Sequence, residues 1–439
     1  MFERTLDISR FLLAVSSINS LADPVLSNHN YRVAYISFLL ARKLTYNNEF
    51  LSNVIIAGLL HDIGLLLLTP PEDISLVKSP EAEEEGRRVH LHSEIGYRLL
   101  KGFPLFSKVA LAIKYHHLPF SEYVENRGSK PYLSQVLHIA DRIDVFVSTR
   151  MEGDKDVCRR IPEILKELEE YLLKLSGKVL DGKLVNLFIK EMAPREAFWF
   201  ELFNDDYLKE SLEGFLSSFS IKLPFEAFFE LSQIMAYLID FKSPFTATHS
   251  SGVSQTATTL ASLFKFTSPD LKKMKVAGLL HDIGKVAVPK SVLEKPKKLS
   301  WEERSLMKGH AYYSYKILSK LDLEKNILEW AAYHHETLDG NGYPFKLKAK
   351  ELSLGSRIMA VADIFTALME ERPYKREGSL VKTLEVLDSL ARANRLDGRV
   401  VKVLKRNVER IEAGRKMAHA RAKRVYNSLR EVVSQFKSF

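Results

Sequence analysis

AGLLHDIG occupies Ala57–Gly64, and the same eight residues return at Ala277–Gly284, followed there by Lys285. An identical octet 220 residues further on is a self-similarity that organises the whole chain. The flanks repeat as well. SNHNYRVAYISFLLARKL at Ser27–Leu44 aligns with ATHSSGVSQTATTLASLF at Ala247–Phe264, and HSEIGYRLL from His92 with HAYYSYKIL from His310. KYHH ending at His117 aligns with AYHH ending at His335, and LHIADRID ending at Asp144 with MAVADIFT ending at Thr366. The offset stays between 218 and 222, so two duplicated domains are expected, far larger than the units of a solenoid.

Most segments carry the three-and-four spacing of amphipathic helices, including Asn30–Leu44, Asn53–Leu60, Ile161–Leu175, Phe225–Ile239 and Ser379–Leu390. Gly64 and Gly284 follow apolar runs, where a glycine can end a helix. Strand-like alternation is scarce. The expected fold is all-α, two tandem helical bundles. The domains are placed at 1–205 and 206–439, with the boundary in the less periodic stretch Pro194–Pro224.

The 439 residues suffice for two or three domains, and 46% apolar with 27% charged residues is the balance of a soluble globular protein. The single cysteine, Cys158, excludes an internal disulfide framework and fits a reducing, cytoplasmic setting. The apolar run Val54–Leu68 is too short to span a bilayer and carries His61 and Asp62, so no membrane segment is expected. A net charge of +9 suits an anionic partner such as a nucleotide or nucleic acid but is also what a solvated basic surface gives; of the two partners, a nucleotide is expected and nucleic acid is not.

Ten of the thirteen histidines fall at matched positions of the repeat. They are His29, His61, His92, His116 and His117 in the first copy, and His249, His281, His310, His334 and His335 in the second. Each copy adds an adjacent aspartate (Asp62, Asp282) and a later one (Asp141, Asp363). A lone histidine on an apolar helix is usually a satisfied core residue. Five per copy, recurring with two carboxylates, would be costly to bury without a cation. Imidazole suits first-row divalent metals, and a carboxylate can bridge two of them. The set is too large for one tetrahedral ion, so two ions sharing an aspartate are expected.

These residues resemble the HD superfamily of metal-dependent phosphohydrolases. In the second copy HHETLDGNGYP at His334–Pro344 is similar to the HD-GYP signature, and HDIGK, HAYYSYKIL and RIMAVADIFTALMEERPYK at Arg357–Lys375 extend the likeness. The resemblance implies hydrolysis of cyclic di-GMP, and in some relatives of the mixed GMP–AMP cyclic dinucleotide. The products would be the linear dinucleotide and, by a second cut, mononucleotides. It implies a centre of two or three iron or manganese ions. His249, His281, Asp282 and Asp363 would hold one ion, and Asp282 would bridge to a second held by His310, His334 and His335. Asp282 and Lys285 would be catalytic. Lys285, Gly342, Tyr343, Arg372 and Lys375 would contact substrate, and the GYP loop is also where protein partners would dock.

Some relatives have a glutamate four residues before the first histidine, where a third ion binds; here the position is Phe245, and Val25 in the first copy. The family's aspartate three residues after Asp363 is Thr366 here, which bears on how Lys285 is held. The first copy keeps all seven candidate ligands (His29, His61, Asp62, His92, His116, His117, Asp141) but has Leu65 for the lysine, no GYP signature and no RPYK. It is expected to be regulatory or structural. Two other functions stay open: a nonenzymatic cyclic-dinucleotide receptor, and a phosphohydrolase acting on other nucleotides. Glu163–Leu175 reads as a charged amphipathic helix, with a homodimer contact as the alternative to a solvated face. The basic C-terminal stretch reads as a further amphipathic helix.

Overall fold

The structure is a computed structural model, described for residues 6–7, 9–12, 14–15, 28–67, 89–125, 130–151, 156–218, 222–240, 248–295, 297–321, 323–370 and 379–437. It is all-α, as the periodicity requires. Among the described residues the only strands are the pair Leu6–Asp7 and Lys222–Leu223. No described helix is long and apolar enough to cross a membrane. The chain forms two compact units, whose main segments are Asp7–Lys222 and Leu223–Ser428.

Ten helices build the two candidate sites, five in each copy. In the first copy they are α1 (His29–Leu44), α2 (Asn48–Leu60), α3 (Val89–Leu100), α4 (Ser107–Lys114) and α5 (Leu133–Met151). In the second they are α6 (His249–Leu263), α7 (Ser268–Leu280), α8 (Trp301–Ser319), α9 (Lys325–Ala332) and α10 (Leu354–Met369). Side-chain caps fix several starts. Asn47 accepts from Phe50 N at 2.9 Å, and Ser353 from Ser356 N at 3.2 Å. Ser300 and Glu303 form a reciprocal capping box at the start of α8.

The duplicated octet bends the chain in the same way twice. α2 ends at Leu60 and α7 at Leu280, and tight helical turns follow at Ile63–Leu67 and Ile283–Ala287. His-Asp therefore sits at the junction, with its side chains directed into the bundle. The glycines have a different job from the helix-ending one read in the sequence. A Cβ on Gly284 would lie 1.9 Å from His310 O, and one on Gly64 2.1 Å from His92 O. Upstream, Cβ atoms on Gly58 and Gly278 would lie 2.5 Å from Ala34 Cα and Ser254 Cα. Each octet thus brings two neighbouring helices into backbone contact.

The weakly periodic stretch before Pro224 is helical too. Glu196–Leu202 and Asp205–Ser218 bury Phe198, Trp199 and Leu202, then Leu208, Leu212 and Leu216 at one-turn intervals. The basic C-terminal stretch forms helices Gly398–Arg406 and Val408–Lys437. The second of these packs on α6. His419 Nδ1 lies 3.0 Å from Thr248 Oγ1, and a Cβ on Gly414 would meet the Gln255 side chain at 3.4 Å.

Candidate metal centres

Five of the repeated histidines share one geometry. His61, His116, His281 and His334 donate from Nδ1 to the carbonyl three residues earlier, at 2.8, 2.6, 2.9 and 2.6 Å. His310 does the same to Met307 O. A carbonyl only accepts, so the proton stays on Nδ1 and the Nε2 lone pair is turned inward. The helix itself thereby selects the tautomer a metal ligand needs.

In the second copy, those inward atoms converge on Asp282. Its Oδ2 lies 3.3 Å from His281 Nε2 and 3.6 Å from His249 Nε2. Its Oδ1 lies 3.4 Å from His310 Nε2 and 3.9 Å from His334 Nε2. Asp363 Oδ1 is 3.2 Å from His249 Nε2, and its Oδ2 is 3.8 Å from His335 Nδ1. Three groups each have donor atoms close enough for one ion: His249–His281–Asp363, His281–Asp282–His334 and His310–His334–His335. All seven residues read from the sequence are brought together. His281 Nε2 is buried and makes no hydrogen bond, so one donor points at space a cation would fill.

The electrostatics fit the same use. Burial holds His334 well below the usual imidazole range and pushes His335 down to about 3, so both stay neutral with a lone pair to offer. Burial opposes ionisation of Asp282, but His281 and Lys285 outweigh it and hold the carboxyl well below its usual range. Asp363 is held down too, by its hydrogen bond with His249 and by nearby imidazoles, again against burial. His249 goes the other way. Burial would lower it, yet the Glu370 charge and bonds to Asp363 and Glu370 raise it to about 10.

Glu370 is a residue of the candidate site that sequence matching missed. Its Oε2 accepts from His249 Nδ1 at 2.8 Å in a buried site. In the first copy Asp144 does this, accepting from His29 Nδ1 at 2.6 Å. Asp144 is matched by Thr366, and Glu370 by Ser148, one helical turn on. The carboxylate has moved by four residues along the same face of the helix. The arginine beside Asp144 is not repeated at its matched position. Arg32, which bonds Asp144 at 2.5 Å through Nε, is matched by Gly252. A Cβ there would lie 3.5 Å from Arg415 Cγ, on the C-terminal helix, and 3.6 Å from Glu370 Oε1.

Lys285 is held despite Thr366: its Nζ donates to Asp282 Oδ2 at 2.5 Å. Tyr343 of the GYP loop lies over His335, with ring centroids 4.7 Å apart, and Lys308 sits 5.4 Å above the tyrosine ring. Gly340 has φ +77, and a Cβ on Gly342 would lie 2.5 Å from Glu336 Cα. Buried Glu336 fastens the loop by accepting from Phe345 N at 2.7 Å and Leu347 N at 3.0 Å. Arg372, Lys375, Phe245 and Val25 lie outside the described residues.

The first copy repeats the centre with different surroundings. His29, His61 and Asp62 form one candidate group, and His92, His116 and His117 another. Asp141 Oδ1 lies 3.2 Å from His29 Nε2, and Asp62 Oδ1 3.4 Å from His92 Nε2. Arg32 and the His29 bond outweigh burial and hold Asp144 down at about 2.

Models described as HD domain match residues 26–145 and 233–400. The chain belongs to the HD-GYP branch of the HD family, with two HD domains in tandem. HD domains are metal-dependent, and both clusters could hold metal ions. The chain is similar to 3'3'-cGAMP-specific phosphodiesterase 1 of Vibrio cholerae, 29% identical over 87% of each chain. It is also similar to the cyclic di-GMP phosphodiesterase response regulator RpfG of Xanthomonas campestris, 34% identical over 40% of this chain and 47% of that one. The crystal structure of a V. cholerae cyclic GMP-AMP phosphodiesterase shares the fold, with a TM-score of 0.60 and 22% identity. That match covers 92% of this chain and 98% of the solved one.

Proposed function

We propose that the HD-GYP copy is a phosphodiesterase for cyclic dinucleotides. The observation that carries this is the convergence of five imidazoles on Asp282 and Asp363, with Lys285 at the edge of the cluster. His249, His281 and Asp363 would hold one divalent ion and His310, His334 and His335 another, with the Asp282 carboxylate available to both. Iron or manganese suits this set of imidazoles and carboxylates. Such a pair, when bound, lowers the pKa of water and clamps a phosphate for in-line attack.

The residues of the chain do the rest. Lys285 lies at the partly open side, its side chain 19% exposed, where its ammonium can neutralise charge growing on a phosphoryl oxygen. His335 is also partly open, at 26%. Tyr343 covers one face of His335, and Glu336 and Gly342 hold the loop that carries the tyrosine. Glu370 keeps His249 turned so that Nε2 faces the centre. Opening the ring gives the linear dinucleotide, and a second cut gives mononucleotides.

Two substrates have support. The relative aligned over both HD domains acts on 3'3'-cGAMP by its name, whereas RpfG is a cyclic di-GMP phosphodiesterase. The sequence reading favours cyclic di-GMP; the longer alignment makes 3'3'-cGAMP the first substrate to offer beside it. The test is anaerobic reconstitution with Fe(II) or Mn(II), followed by chromatography of products from both dinucleotides, GTP and (p)ppGpp. Turnover of a cyclic dinucleotide, lost in H281A/D282A, is expected. Stoichiometric binding without product would replace the enzyme with a receptor, and turnover of GTP or (p)ppGpp alone would replace the substrate class.

A further inference from the structure

The first copy keeps every repeated ligand, yet the ground beside its second ligand group is already taken. Arg142 on α5 is fully buried, and its Nη2 and Nε lie 2.5 and 3.1 Å from Asp141 Oδ2. The matching oxygen in the second copy, Asp363 Oδ2, instead faces His335 Nδ1 at 3.8 Å. One turn earlier on α5, fully buried His138 lies against His117, with ring centroids 5.7 Å apart. The second copy has Ala360 and Ile364 at these two positions. Two large basic side chains therefore stand in the first copy where the second has a methyl group and a hydrocarbon.

The surroundings also differ in access. His61, Asp62, His92, His116 and Asp141 are at 0% exposure and His117 at 2%, and Leu65, also buried, replaces the partly exposed Lys285. A guanidinium is charged at any physiological pH, so it supplies next to Asp141 a permanent positive charge. A divalent ion at His92, His116 and His117 would have to enter beside that charge in a low-dielectric interior, where like charges repel strongly. The group His29, His61, Asp62 and Asp141 lacks this conflict. His29 and Asp141 face it through Nε2 and Oδ1, while Arg142 takes the other carboxylate oxygen.

We propose that the first copy is a sealed one-ion site, in which Arg142 stands in for the second cation of the HD-GYP centre. Its ligands are His29, His61, Asp62 and Asp141, and the ion is a divalent first-row metal. Arg142 and His138 turn a duplicated two-ion centre into a structural one closed to phosphodiesters.

The test counts ions and is independent of turnover. The full chain, loaded anaerobically with Mn(II) and desalted, is analysed by plasma mass spectrometry beside R142I, H138A/R142I and H61A/D62A. R142I restores the residue type of the second copy and should raise the count by one ion per chain. H61A/D62A should lower it by one. The same series on an H281A/D282A/H334A background isolates the first copy, where one ion is expected with Arg142 present and two without it. Two ions in that background with Arg142 intact would overturn the proposal, as would none, or an unchanged count in R142I. Circular dichroism checks folding of each variant. Should the triple background not fold, the difference between native chain and R142I still decides the question.

Discussion

Glu370 offers the sharpest test of how the second centre is built. It touches no candidate donor atom except through His249, so its removal should weaken metal binding without removing a ligand. The His249 Nδ1–Oε2 bond is 2.8 Å long, and the two side chains are 5% and 6% exposed. A hydrogen bond to a charged group contributes about 1.5–3 kcal/mol. Loss of a carboxylate behind a ligating imidazole costs roughly 10–100-fold in metal affinity. Alanine at position 370 should therefore weaken the His249 site by about 30–100-fold, equivalent to about 2–2.7 kcal/mol. Glutamine keeps an acceptor but not the charge, and neutral acceptors are about half as strong, so a loss of about 5–10-fold is expected.

The duplicated copy supplies its own control. T366D/E370S places the carboxylate one turn earlier, as Asp144 and Ser148 stand in the first copy, and should recover most of what E370A loses. Competition with a fluorescent chelator for Mn(II), on the full chain, gives the affinities, and thermal melts confirm folding. Native affinity in a folded E370A variant would refute the positioning role. A loss in E370A that T366D/E370S fails to recover would reduce Glu370 to a packing residue.

Three further outcomes follow from the geometry. Lys285→Ala should leave metal content unchanged while kcat on the cyclic dinucleotide falls about 10²–10³-fold, the usual cost of removing one charge-stabilising donor; unaltered turnover by steady-state assay would exclude the lysine from catalysis. Gly284→Ala forces a Cβ to within 1.9 Å of His310 O. It should cost about 3 kcal/mol of stability or more by denaturant titration, whereas Gly102→Ala, with nothing within 4 Å of its Cβ, should be near neutral. Glu336→Ala leaves the Phe345 and Leu347 amides without their carboxylate, at about 1–3 kcal/mol each if they stay dry. Faster hydrogen exchange confined to residues 340–347 is expected, together with a lower kcat/KM; unchanged exchange there would mean the loop is held by other contacts.

The repeat made the candidate ligands legible. A column containing histidine in both halves points to a shared demand, and all fourteen repeated donors indeed lie in the two clusters. It was less informative about what stands behind the ligands. Thr366 opposite Asp144 looks like a loss, because column matching compares residues one by one, while a helix presents positions four apart on the same face. Read as pairs, Asp144–Ser148 against Thr366–Glu370 is a relocation of one carboxylate, while Gly252 stands in the place of Arg32 and leaves room for the stem of Arg415, whose guanidinium bonds Glu412. No local pattern could announce that packing, because Arg415 lies 163 residues further along the chain than Gly252. Gly64 and Gly284 look helix-ending in the sequence, since a residue chosen for the absence of a Cβ looks the same whether the backbone turns there or another backbone passes close by. The difference has a physical origin. An atom that binds an ion must sit within a few tenths of an ångström of one place, so its residue is pinned to its column. A group that only has to bring charge to an imidazole nitrogen can be delivered from any neighbouring turn, and duplication leaves it free to move.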